Sequence, residues 1–105
     1  MNSKKNKIGV LGGSFDPAHK GHLTISREAK KRFNLDSIIW AITKKNPFKK
    51  QTTTKLLDRI NYCKKITKNI NFIKVRFYED KIKSNKTINL INYLTKNKKN
   101  EIYFL

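Results

Sequence analysis

The chain has 105 residues, enough for one small domain and no more, and its 25 Lys and Arg against 7 Asp and Glu give a formal net charge of +18. Mean hydropathy is −0.69, and no apolar run approaches the roughly 18 residues of a membrane span, so no membrane-spanning helix is expected. The basic residues 1–5 lead into an apolar stretch broken by glycines, without the uninterrupted core of a secretory signal, and the single cysteine, Cys63, has no internal disulfide partner, as expected of a protein in a reducing cytoplasm.

Residues 1–6 read as a loose basic tail, and residues 8–11 (Ile-Gly-Val-Leu) as a first buried strand. A loop follows over residues 12–21. From His22 to Phe33 the residues Leu23, Ile25, Ser26, Ala29 and Phe33 recur near helical spacing, with Asn34 as the stop. Residues 37–42 (Ser-Ile-Ile-Trp-Ala-Ile) are continuously apolar, as a strand covered on both faces should be. Pro47 then ends any extended run. A second helix is predicted over residues 54–67, with Leu56, Leu57, Ile60, Cys63 and Ile66 as its apolar stripe. Residues 72–77 form a third strand and 78–86 a charged loop. A third helix runs over residues 87–96, with Ile88, Leu90, Ile91 and Leu94 inward, and residues 101–105 open a fourth strand. Strands alternating with helices imply right-handed crossovers and a parallel sheet, β-α-β-α-β-α-β, in one domain without repeat or linker.

The charge has two readings. A basic protein neutralises phosphates and so suits nucleic acid. Here, though, 21 of the 25 basic residues are Lys, accompanied by 12 Asn and 13 Ile; all three have A/T-rich codons, and the lysines are spread along the chain in pairs. Readers of nucleic acid lean on Arg and exposed aromatics. Compositional drift is therefore the preferred account and nucleic acid is not an expected partner, although the charge still draws in anionic nucleotides.

Chemistry concentrates in residues 12–22, Gly-Gly-Ser-Phe-Asp-Pro-Ala-His-Lys-Gly-His. They lie between the end of a strand and the start of a helix, where open α/β sheets bind ligands and where unpaired N–H groups and the helix dipole attract phosphate. Gly12 and Gly13 let the chain turn and let a ligand approach the backbone. Neither G-x-x-x-x-G-K-[ST] nor G-x-G-x-x-G is present. His19 and His22 taken alone are as readily capping or surface residues. Zinc on this pair needs two more ligands of suitable type and spacing, which a chain with one cysteine and no third histidine does not offer. Asp16, before Pro17, reads as a turn former rather than a metal ligand.

The stretch resembles the signature G-G-[ST]-F-D-P-x-H-x-G-H of the HxGH nucleotidyltransferases, complete from Gly12 to His22. The double glycine with Pro17 and His19 is similar to the bacterial nicotinate-nucleotide adenylyltransferases; phosphopantetheine adenylyltransferases and cytidylyltransferases, which differ at these positions, are the alternatives. Asn46-Pro47-Phe48-Lys49 with Arg59 resembles the N-P-x-K…R pattern of that family, and Thr87-Ile88-Asn89 its T-x-D. The resemblance implies a Rossmann-like parallel sheet and transfer of AMP from ATP to nicotinate mononucleotide, giving deamido-NAD and pyrophosphate in NAD biosynthesis. It implies catalytic roles for His19 and His22. ATP binding is implied for Gly12, Gly13, Ser14, Phe15, His19, Lys20, Gly21 and His22, and substrate binding for Ser14, Phe15, Lys49 and Thr87. Mg²⁺ is expected on the triphosphate, with no metal ligands from the protein.

Plain alternatives accompany several of these: a solvated loop for Lys49, a solvated face or salt bridge for Arg59, a helix cap for Thr87, and core packing for Trp40 and Cys63. The resemblance reaches only the N-terminal half of the family's domain, so the fold is expected to be incomplete at the C-terminus, without the I-S-S-T-x-x-R segment, and activity of this short chain is in doubt; a nucleotide-binding remnant is the non-enzyme reading. In Rossmann order the first strand is central with the fourth beside it, which leaves Ile102, Tyr103, Phe104 and Leu105 as an unpaired edge through which copies can associate.

Overall fold

A computed structural model describes residues 5–44 and 55–105. The elements are β1 (Asn6–Gly13), α1 (Lys20–Phe33), β2 (Ser37–Ile42), α2 (Leu56–Ile66), β3 (Ile73–Arg76), α3 (Glu79–Ile82), α4 (Thr87–Thr95) and β4 (Asn100–Phe104). The four strands form one parallel sheet in the order β3-β2-β1-β4. The expected Rossmann-like α/β topology is the observed one, with β1 inside and β4 beside it. Lys49 and the Asn46-Pro47-Phe48-Lys49 stretch lie outside the described residues.

Both faces of the sheet are covered, which is why β2 reads as one apolar run. On one side α1 and α2 close over Leu11, Ile38, Trp40, Ile42, Ile73 and Val75. On the other, α4 brings Leu94 and Leu90 against Val10, Ile39 and Ala41. The chain changes sides after β3, so the strand order reverses between β1 and β4. A crevice at the carboxyl ends of the strands beside such a reversal is the place an open α/β sheet offers a ligand. Gly9 makes the close packing of the central strand possible: a Cβ there would lie 2.8 Å from both Ile38 Cδ1 and Leu35 Cδ1.

Several expectations are corrected. Strand β1 begins at Asn6, whose N–H donates to the Lys99 carbonyl, so the basic tail is shorter than residues 1–6. The charged loop 78–86 contains the helical turn α3, too short to show a period in sequence and ended by Lys83 in the left-handed region (φ 54°). Leu57 (66% exposed), Ile88 (60%), Ile25 (49%) and Phe33 (48%) do not point into the core. In α2 the inward line runs through Leu56, Arg59, Cys63 and Ile66, and at 100° per residue Leu57 falls off that line; the buried position goes to Arg59 instead. Phe33 lies against Tyr103, ring centroids 5.8 Å apart.

Candidate active site

The loop that leaves β1 at Gly13 ends on the first turn of α1, and the two histidines make that turn. The His19 Nδ1 accepts the Gly21 N–H at 3.0 Å, and the His22 Nδ1 accepts the His19 N–H at 3.0 Å. This is a reciprocal capping box in which both side chains are imidazoles, with His19 at the N-cap and His22 three residues into the helix. The capping alternative is thus realised in full, and it has a chemical consequence. Each Nδ1 must keep its lone pair to accept the N–H, so the neutral ring carries its proton on Nε2. Both side chains are thereby held as Nε2–H donors at a helix N-terminus, with ring centroids 4.1 Å apart. Burial first, and the neighbouring His19 second, push His22 below the ordinary imidazole range, so its neutral form is favoured.

Gly21 has a steric role here. A Cβ on it would lie 2.8 Å from His19 Cε1 and 3.0 Å from His19 Nδ1. The His19 ring folds back over the Gly21 backbone at this point. No glycine has positive φ, so the turn expected at Gly12 and Gly13 is absent: both end strand β1 in extended conformation. The left-handed residue of the loop is Phe15, at φ 50°. Its ring is 2% exposed, stacked on Trp40 (4.9 Å) and tilted against His22 (4.5 Å). Asp16 and Pro17 form the turn, joined by a cis peptide bond. Lys20 is the first residue of α1 and is exposed.

Two supports behind this loop escaped the sequence reading. The Trp40 indole N–H donates to Ser26 Oγ at 2.8 Å, and Ser26 Oγ donates to the His22 carbonyl at 2.8 Å. Ser26 is fully buried; a serine on the inward line of a helix that covers a strand with the chain's sole Trp was the available signal. The second support is Arg59. It is neither on a solvated face nor held only by an acid: the side chain is 2% exposed and donates to three backbone carbonyls, those of Ser14, Thr43 and Lys44, each at 2.7 Å. Cys63 beside it is core as expected, and burial pushes its thiol up to about 11, so it stays neutral.

An open cleft of about 980 Å³ runs across the carboxyl ends of the strands. Gly12, Gly13, Ser14, Thr43, Lys44, Glu79, Asp80, Lys83, Ser84, Asn85, Thr87 and Phe104 line it. A tighter pocket of about 50 Å³ adjoins it, walled in part by Ala41, Tyr78, Leu90 and Thr87. Thr87 does not cap α4, as its sequence position suggested; Lys86 holds the N-cap position without a side-chain bond, and Thr87 is exposed at the cleft wall. Gly12, Gly13, Ser14 and Thr87 therefore meet at one cleft, while His19, Lys20, Gly21 and His22 gather at the start of α1, at the other end of the same loop. Among the described residues no three His, Cys, Asp or Glu side chains gather to hold a metal ion.

A parallel α/β sheet whose first strand–loop–helix corner carries two imidazole side chains at the helix start, with an open cleft at the strand ends, is a Rossmann-like arrangement. The chain belongs to the cytidylyltransferase-like family, whose model matches residues 10–104. It is 65% identical over 105 residues to the "Probable nicotinate-nucleotide adenylyltransferase" of Pelagibacter ubique (strain HTCC1062), covering 100% of this chain and 58% of that protein. It is 48% identical over 59 residues to the protein of the same name from Ruegeria sp. (strain TM1040), covering 56% of this chain and 31% of that one. Among solved structures it resembles Plasmodium falciparum nicotinic acid mononucleotide adenylyltransferase complexed with NaAD, with TM-score 0.74 and 20% identity over 94% of this chain and 50% of that chain; that likeness concerns the fold. The chain thus spans 58% of the length of the Pelagibacter protein, and the matched parts cover 31% and 50% of the other two.

Proposed function

We propose that this chain carries the catalytic loop and the mononucleotide side of a nicotinate-nucleotide adenylyltransferase, which moves AMP from ATP to nicotinate mononucleotide and releases pyrophosphate. The observation that carries the reading is the double-imidazole cap, which holds two Nε2–H donors at a positive helix end, on the loop whose first residues line an open cleft.

In this reading the mononucleotide lies in the cleft, its base toward Thr87 and its phosphate against the backbone of Gly13, Ser14 and Phe15. The triphosphate reaches from Gly12, at the end of β1, to the start of α1, where the His19 ring covers Gly21 and Lys20 stands at its edge. The mononucleotide phosphate attacks the α-phosphorus in line and the bond to pyrophosphate breaks. The nucleophile is already anionic, so no general base is required; positioning and charge stabilisation supply the rate. His19 and His22 donate to phosphoryl oxygens as charge shifts toward the leaving group. A Mg²⁺ ion would accompany the triphosphate, carried mostly by phosphate oxygens and water. No helix among the described residues is long and apolar enough to cross a membrane. We assign the reaction to the cytoplasm because its donor is ATP.

Pyrophosphate release is the test, with ATP or CTP as donor and nicotinate mononucleotide, nicotinamide mononucleotide or phosphopantetheine as acceptor. The 105-residue chain and a version extended to the length of its Pelagibacter relative are assayed side by side. The extended protein should prefer ATP with nicotinate mononucleotide, and in it His19→Ala or His22→Ala should each lower kcat by roughly 10²-fold with little change in ATP affinity. Turnover with CTP or phosphopantetheine alone, or near-normal kcat in both histidine variants, refutes the proposal.

A further inference from the structure

Arg59 sits on the inward face of α2, far in sequence from the residues it holds. Its Nη1 donates to the carbonyls of Ser14 and Thr43 and its Nη2 to that of Lys44, all at 2.7 Å. These carbonyls belong to the two loops that leave the carboxyl ends of β1 and β2. A planar guanidinium fork can span several acceptors in fixed geometry, which an ammonium cannot.

The Ser14 bond has a directional consequence. In a trans peptide the carbonyl and the following N–H lie in one plane and point to opposite sides. With the Ser14 oxygen drawn toward α2, the Phe15 N–H faces away from α2, and no hydrogen-bond partner for it is found among the described residues. Phe15 is also held at φ 50°, a conformation that costs a non-glycine residue energy and persists only when its surroundings enforce it. The enforcement comes from both sides of the residue: its ring is wedged between Trp40 and His22, and the preceding carbonyl is fixed by Arg59.

We infer that Arg59 is a positioning residue for phosphate, which fixes the Ser14–Phe15 peptide so that the Phe15 N–H is presented to a phosphate oxygen of the mononucleotide. The inference rests on the function proposed above and deepens it. Arg59 never touches the ligand; it acts through a peptide plane, and its buried positive charge adds to the potential under the loop.

The test uses the ¹⁵N-labelled 105-residue chain titrated with nicotinate mononucleotide, comparing the parent with Arg59→Lys and Arg59→Met. In the parent the Phe15 amide resonance should move on titration. In Arg59→Met the dissociation constant should rise by about tenfold or more, the scale of losing one charge-assisted bond at the phosphate, while the His19 and Gly21 amides that report the helix cap stay at their parent positions. Arg59→Lys should recover part of the affinity. If Arg59→Met does not fold, Arg59→Lys decides alone: weaker binding with an intact cap supports the inference, and parent affinity overturns it. Equal affinity in parent and Met variant overturns it as well, as does loss of the cap resonances together with that of Phe15, which would make Arg59 a general strut. A parent chain that does not bind the mononucleotide overturns both this inference and the function it rests on.

Discussion

Replacing Gly21 by Ala separates the stability of the α1 cap from its chemistry. The added Cβ would stand 2.8 Å from His19 Cε1 and 3.0 Å from Nδ1, closer than such contacts allow, and the obstacle is a ring already committed to a hydrogen bond with the Gly21 N–H. The His19 ring must swing out and the bond is lost. Loss of one N-cap bond costs about 1 kcal/mol. Removing a glycine from the helix returns an amount of similar size, about 0.8–1.0 kcal/mol at an interior position and less in the first turn. The net change in stability is therefore a few tenths of a kcal/mol, within about 5 °C in melting temperature for a domain of this size. Catalysis has no such compensation. A swung-out His19 no longer has its Nδ1 pinned, so its Nε2–H is no longer aimed, and kcat in the extended enzyme should fall by roughly the 10²-fold expected for losing one aimed donor. Thermal melts, pyrophosphate release and ¹⁵N shifts of the imidazole nitrogens measure the three quantities. A Gly21→Ala protein that keeps the His19 Nδ1 acceptor signature and normal kcat would show that the ring does not depend on the missing Cβ.

Three further outcomes are expected. Because the folded-state pKa of His22 lies below its ordinary value, the stability it contributes is fully present above about 6.5 and is lost as pH falls through the lowered value. Melting temperature should therefore hold above that pH and drop below it, with Trp40 fluorescence reporting the protonation from 5.8 Å, and His22→Gln, which keeps a capping-box acceptor without titrating, should remove that part of the slope; an unchanged slope would refute the assignment. Gly12→Val should fold, because Gly12 has no positive φ and its Cβ would sit 3.8 Å from Phe104 Cζ, yet the extended protein should lose ATP affinity because the branched side chain blocks close approach to the backbone; parent affinity by calorimetry would refute this. In the described structure β4 pairs only with β1, so the 105-residue chain should associate through the apolar β4 edge in a concentration-dependent way and show little turnover, and Phe104→Lys should weaken the association; a strictly monomeric parent in size-exclusion chromatography would count against it.

The strand and helix order was readable from residues 8–11, 37–42 and the helical spacings, because burial on both faces of a parallel sheet leaves apolar runs and because glycine and proline mark the breaks. The 11-residue signature was readable too, and with it the place of the chemistry. What the one-dimensional pattern could not decide was which of two adjacent apolar residues a helix turns inward. Leu57 and Ile88 were assigned to the core and face solvent, since a rotation of 100° separates neighbours and only the packed sheet selects between them. The same selection buried a charged residue, Arg59, whose plain reading was a solvated face or salt bridge, and its three carbonyl partners come from segments that no local spacing connects to it. The histidine pair shows the division most clearly. Sequence determined that His19 and His22 sit three residues apart at a helix start. Only the folded geometry, with Gly21 bare of a Cβ and each Nδ1 bound to a backbone N–H, decided which nitrogen of each ring carries the proton, and so what either can offer a ligand.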